Sequence, residues 1–157
     1  MPGFVFSLES LLGLREKIEE QKELEYGKAI AYLDEQIKKQ EALINEQNGL
    51  LVYMKSNLKA KLDPKKLIEY SSYIDILELR IEYQTEQVNL AEQAVIKKRN
   101  ELTDAVKERK MLDKLKEYEK NSYDREILLK EQKATDELVS YKYSSNRRLS
   151  NGSTNER

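Results

Sequence analysis

The sequence predicts an all-α protein made of two long helices in an antiparallel coiled-coil hairpin. Three observations lead there. A spacing of three and four runs from Leu67 to Leu112 through Tyr70, Ile74, Leu77, Ile81, Gln84, Val88, Ala91, Val95, Lys98, Leu102, Ala105 and Arg109. Its members are mostly apolar, and such a heptad repeat marks a helix that buries one narrow seam against another helix. The composition is that of long helices: 39% hydrophobic and 36% charged, with 5 Gly and 2 Pro in 157 residues. One strong break, Leu62-Asp63-Pro64, divides the periodic stretches.

Helix one is expected over about 7–61. Ser7 and Ser10 both qualify as its N-cap. Leu8, Leu11, Leu12, Leu14 and Ile18 form its first apolar stretch. A second seam follows through Tyr26, Ile30, Leu33, Ile37, Gln40, Ile44, Gln47, Leu51, Met54 and Leu58. The two stretches are out of phase across Glu19–Glu25, which predicts a local change of supercoil there. Gly49 inside the helix weakens it by about 1 kcal/mol relative to Ala.

The turn is expected at 62–63. Asp63 can accept a bond from a free amide of the next helix, and Pro64 suits the first helical position. Leu62 and Leu67 occupy staple positions around that cap. So short a connection makes the helices antiparallel neighbours. The register then pairs Leu58 with Leu67, Leu51 with Ile74, Ile44 with Ile81, Ile37 with Val88 and Ile30 with Val95. It also sets Gln40 opposite Gln84. These amides either bond each other and set the register, or each tolerates a half-wet seam position.

Helix two is expected over about 64–143, so the hairpin spans 4–143, with 144–157 a disordered tail rich in Ser, Asn and Arg. The register places residue 4 opposite residue 120. From Asn121 onward helix two has no partner within the chain, although Tyr123, Ile127, Ala134, Leu138 and Tyr141 still share one stripe. Residues 121–143 would project roughly 30 Å. Such an amphipathic end meets a partner, self-associates or frays.

Functions are narrowed chiefly by what is missing. Net charge is −1, from 28 basic and 29 acidic residues, so no global field draws the chain to nucleic acid or an anionic membrane. The chain lacks His and Cys, hence the commonest general base, the commonest transition-metal ligand and any thiolate. Neither a cofactor nor a metal is expected. No stretch approaches the ~20 apolar residues of a membrane span, and no signal peptide is read at the N-terminus, so the chain reads as a soluble cytoplasmic protein. Glu19, Glu20, Glu23 and Glu25 are interleaved with Lys17, Lys22 and Lys28, which reads as a solvated ion-paired face. Lys97-Lys98-Arg99 and Arg109-Lys110 have acids close behind them and make no nucleic-acid stripe. Arg147-Arg148-Leu149-Ser150 has the form of a basophilic phosphorylation pattern, which arises readily by chance. Tyr73, Ile76, Leu79 and Tyr83 lie off the main seam of helix two and either form an interface or wrap the hairpin flank.

Three blocks carry a family resemblance. Phe4-x-Phe6-x-Leu8-x-x-Leu11-Leu12-x-Leu14-Arg15 is similar to the start of FliJ proteins of bacterial flagellar export. Glu108-Arg109-Lys110-x-Leu112-x-Lys114-Leu115-Lys116-Glu117 and Glu131-Gln132-Lys133-x-x-Asp136-Glu137-Leu138 also resemble that family. The resemblance implies a non-enzymatic coiled-coil rod, similar to the central stalk of rotary ATPases, at the flagellar base on the cytoplasmic face of the cell membrane. Its implied partners are the hexameric flagellar export ATPase, the cytoplasmic domain of the membrane export gate, and export chaperones. The ring contact would then involve Phe4, Phe6 and Leu8 with Ile127, Leu138 and Tyr141. The gate contact would involve Tyr73 and Leu77, joined by Ile76 and Tyr83 of the off-seam group, although Leu77 also falls on the seam. The rival readings are a generic cytoplasmic coiled-coil scaffold or chaperone, a stalk of another rotary-type ATPase, and an enzyme.

Overall fold

The computed structural model describes residues 3–57 and 63–152. Two helices account for nearly all of them: α1, Glu9–Asn57, and α2, Pro64–Gly152. α1 contains no proline, and α2 has its one proline at the first position, where the missing N–H removes no helical bond.

Asp63 caps α2. Its carboxylate oxygen Oδ1 accepts from the Lys65 amide at 3.3 Å, and its carbonyl accepts from the Lys66 and Leu67 amides. The expected end of helix one near 61, the Leu62 staple and the Leu58–Leu67 pair lie outside the described residues. At the start of α1, the Leu12 amide donates to the Leu8 carbonyl at 2.9 Å. That bond makes Leu8 the cap position, rather than Ser7 or Ser10. α2 continues to Gly152, past the residue 143 at which the sequence reading ends it. Nothing between Ser144 and Asn151 breaks a helix. The Ser144 and Ser150 hydroxyls turn back on the Tyr141 and Arg147 carbonyls instead of competing for main-chain amides.

The chain forms two compact units, one of residues 14–109 and one of residues 1–13 with 110–157. In the first, the helices run antiparallel. Tyr53 meets Tyr70, Tyr73 meets Glu46, Gln84 meets Gln36, Lys98 meets Glu25, and Lys22 meets Glu101. These pairings lie close to the register read from the sequence. Within this unit every predicted seam position of α2, from Leu67 to Arg109, is buried or half-buried, and Leu77 is fully buried.

The α1 seam differs from the expectation. Its covered positions are Arg15, Glu19, Lys22, Tyr26, Ala29, Leu33, Gln36, Gln40, Leu43, Gln47, Leu50, Met54 and Asn57, with Ile18, Glu25, Ile37 and Ile44 half-covered beside them. Alternate members thus move by one residue at Ile30 and Leu51, while Ile37 and Ile44 stay half-covered beside Gln36 and Leu43. Two reasons account for this. The Gln84 amide sits in the α2 seam and needs acceptors; Gln36 supplies its main-chain carbonyl and a side-chain oxygen that an isoleucine lacks, and a buried orphan would cost about 1–3 kcal/mol. Near Glu19–Glu25 the three-four spacing continues without the expected change of phase, because ion-paired side chains occupy the seam where no apolar residue does.

In the second unit, Gly3–Phe6 precedes α1 in non-helical conformation and packs against α2. Phe6 and Leu12 are buried there, and the Lys116 ammonium pairs with Glu9 at 2.8 Å. The ring of Phe4 tilts onto that of Tyr123 with centroids 5.7 Å apart. Tyr123 therefore has a partner within the chain, contrary to the expectation for residues from Asn121 onward. Non-helical backbone can advance about 3.3 Å per residue against 1.5 Å for a helix, so Phe4 reaches farther along α2 than helical counting allows.

Candidate functional site

Four places hold the side chains that could serve a function: a polar layer in the seam, an ionic stretch, an off-seam aromatic group and the end of α2. The polar layer was expected as a Gln40–Gln84 pair, but the two amides take different partners. Gln84 Nε2 donates to both the side-chain oxygen and the main-chain carbonyl of Gln36, each at 2.9 Å. Gln40 Nε2 donates to Thr85 Oγ1 at 2.9 Å, and the Thr85 hydroxyl donates to the Ile81 carbonyl. The layer is thus a four-residue cluster, and Gln36 and Gln84 are both buried.

The ionic stretch joins residues 15–25 of α1 to residues 98–109 of α2. Lys98 Nζ reaches Glu25 at 3.2 Å and Glu101 at 3.4 Å, while Lys22 Nζ reaches Glu101 at 3.3 Å and Glu25 at 3.5 Å. Arg109 pairs with Glu19, and Arg15 with Glu108. The hydrogen bond from Lys98 holds the Glu25 carboxyl below its ordinary range, and the same bond raises Lys98. The bond from Lys22 lowers Glu101. Reading these charges as a solvated face missed that several of them cross the seam. The signal was present in Lys98 and Arg109, which fall on the apolar row of α2 and need countercharges from α1.

Of the off-seam group, Ile76, Leu79 and Tyr83 are exposed, with Tyr83 at 65%. Tyr73 is half-covered, and its hydroxyl donates to Glu46, which pushes the phenol above its ordinary value. Leu77 is fully buried between the helices and offers no surface to an incoming partner, which removes it from the expected gate-contact set. Among the expected ring-contact residues, Leu8, Leu138 and Tyr141 are exposed, while Phe4 and Ile127 are half-buried. Phe6, only 4% exposed, anchors the N-terminal segment instead of presenting itself outward. From Leu128 to Gly152 every residue of α2 is exposed except the half-covered Ser145. Leu128, Leu129, Leu138, Val139, Tyr141 and Tyr143 stand among them.

No helix among the described residues is long and apolar enough to cross a membrane. Among the same residues, no group of three or more carboxylates is placed to hold a metal ion.

Comparison with known proteins agrees with this architecture. A solved structure of a Chlamydia trachomatis protein described as a YscO homolog superposes with a TM-score of 0.58, covering 96% of this chain and 99% of that one. At 16% identity, that likeness speaks for the fold alone. No curated protein sequence matches the chain. The family described as flagellar FliJ protein matches over residues 4–148. With all of α1, all but the last four residues of α2 and all three sequence blocks inside that match, the chain belongs to the FliJ family of coiled-coil proteins associated with type III export.

Proposed function

We propose that this protein is a non-enzymatic coupling rod of the flagellar type III export apparatus. In this reading it binds the hexameric export ATPase and the cytoplasmic domain of the export gate, and it assists the handling of export chaperones, at the cytoplasmic face of the cell membrane. The observation that carries the reading is the family match over residues 4–148, combined with an α2 end whose apolar side chains are uncovered. A helix that keeps Leu138, Val139 and Tyr141 in solvent gains stability when a partner covers them.

The ring contact is assigned to Phe4, Leu8, Ile127, Leu138 and Tyr141, and the gate contact to Tyr73, Ile76 and Tyr83. Large aromatic side chains supply contact area at low entropy cost, which suits Tyr83 and Tyr141 to dominate their surfaces.

The test is turnover by the cognate export ATPase with added full chain or a chain ending at Leu129. The truncation spares the Phe4–Tyr123 contact and Ile127, so the N-terminal segment stays packed. Stimulation by the full chain that disappears on truncation supports the ring contact at the α2 end. Equal stimulation by both moves the contact to the N-terminal segment. No binding and no stimulation by a folded full chain overturns the reading.

A further inference from the structure

The displaced α1 seam leaves a row of large apolar side chains without full cover. Ile30, Ile37, Ile44 and Leu51 follow one another at intervals of one heptad. Ile30 is 37% and Leu51 39% exposed, and Ile37 and Ile44 are half-covered. Singly exposed aliphatics are ordinary, but four in register along one helix are the pattern of a helix with a second seam.

Hydrogen bonds identify the flank on which this row lies. Tyr73 and Glu46 tie the helices together on one flank, with Lys39 one heptad before Glu46 and Arg80 one heptad after Tyr73. Ile44 and Ile37 stand two residues before Glu46 and Lys39, and so about 200° around α1. Glu78 stands two residues before Arg80, again about 200° around α2. Ile30, Ile37, Ile44 and Leu51 therefore share the opposite flank with the α2 row of Glu78, Thr85 and Glu92.

Acidic residues dominate that flank. Asp34 and Glu41 border the row on α1, and Asp75, Glu78, Glu82 and Glu92 border it on α2; all six are exposed. Of the bases nearby, Lys38, Lys39 and Arg80 fall on the other flank or on the back of the helices, and Lys55, four residues after Leu51, borders the row at one end. An apolar row with a heptad period matches another helix, and its acidic borders match basic ones. A second copy meeting this one face to face would bring two acidic borders together, and like charges at that range repel.

We propose that this flank docks a basic amphipathic helix: a partner segment with an apolar stripe at heptad spacing, bordered by Lys or Arg. The four anchors span three heptads, so the docked helix is roughly 22 residues and 31 Å long. This surface is separate from the α2 end and from the Tyr73, Ile76 and Tyr83 group. It adds a third contact face within residues 14–109.

The probe is a synthetic 28-residue helical peptide with Leu and Ile in its stripe and Lys on both borders, titrated by fluorescence anisotropy into the full-length protein. Two control peptides carry Glu borders on the same stripe, or the same Lys borders around a Gln stripe. The expected result is binding of the first peptide at least tenfold tighter than either control, weakening with added salt. Glu78→Lys with Glu82→Lys changes two exposed residues, so the fold is retained, and it should reverse the preference between Lys and Glu borders. Ile37→Ser with Ile44→Ser should abolish binding, with circular dichroism checking that the helices remain. Equal binding of all three peptides, or an unchanged preference after charge reversal, would overturn the proposal. A concentration-dependent dimer in sedimentation that the two serine substitutions abolish would also overturn it, giving the row to a second copy.

Discussion

Gln84 spends its one amide nitrogen entirely on Gln36, donating to both its side-chain and its main-chain oxygen at 2.9 Å. That relationship sets the rotation of α1. An amide buried in a seam must find acceptors, and only the rotation that brings Gln36 inward provides them. The cost is the exposure of Ile30 and Leu51.

Removing the donor should therefore do more than delete a contact. Gln84→Ala leaves Gln36 buried without its partner and should destabilise the protein by about 1–3 kcal/mol. The double change Gln36→Leu with Gln84→Leu should recover most of this loss while broadening the helix register. Urea unfolding measures the first effect. Distances between spin labels on exposed positions of α1 and α2 measure the second.

Leu77 and Leu79 are two residues apart and should behave oppositely. Leu77 is fully buried, so Leu77→Ala should cost about 2–5 kcal/mol, toward the lower end for so narrow a seam. Leu79 is 67% exposed, and Leu79→Ala should change stability by less than about 0.5 kcal/mol. Equal losses in urea unfolding would contradict the seam assignment.

The ionic stretch should respond to pH at both extremes. Glu25 and Glu101 have lowered pKa values, so their stabilisation is present above the ordinary carboxylate value of 4.5 and is lost as pH falls through the folded values. Lys98 has a raised pKa, so its share is complete below 10.5 and is lost as pH rises through the folded value. Protection of the amides of residues 19–25 and 98–105, taken relative to their intrinsic exchange rates at each pH, should be highest between those limits and should fall with salt. Uniform protection from acid to alkaline pH would exclude a stabilising ion cluster.

The N-terminal segment should be held more by Phe6 than by Phe4. Phe6→Ala removes a buried ring and should cost about 3–5 kcal/mol, scaled down if the segment alone detaches. Phe4→Ala removes the tilted contact with Tyr123 and should cost about 0.5–1.5 kcal/mol. Hydrogen exchange over residues 116–127 reports both, and Phe6→Ala should give the larger increase.

Gly49 lies inside α1, and a methyl group added there meets no atom within 4 Å. Gly49→Ala should stabilise the helix by about 1 kcal/mol. A rise in thermal midpoint with unchanged ATPase stimulation would mark the glycine as dispensable for the proposed coupling.

The sequence by itself determined the helices, their antiparallel pairing and nearly the whole α2 seam. An unbroken three-four spacing and one Asp-Pro stop leave little freedom when the backbone bonds are satisfied locally. The family, too, was legible in the ordered blocks at either end. What the tertiary structure alone decided is which side of α1 faces inward. Isoleucines 30, 37 and 44 outrank Ala29, Gln36 and Leu43 by hydrophobicity, but a polar side chain on α2 overrules that ranking when it needs a partner across the seam. The same reason explains the missed ionic stretch, whereas the burial of Leu77 follows from its place in the α2 seam. Periodicity reports how a helix spaces its apolar residues. Which of them another helix covers depends on the partner's polar groups, and those meet only when the chain is folded.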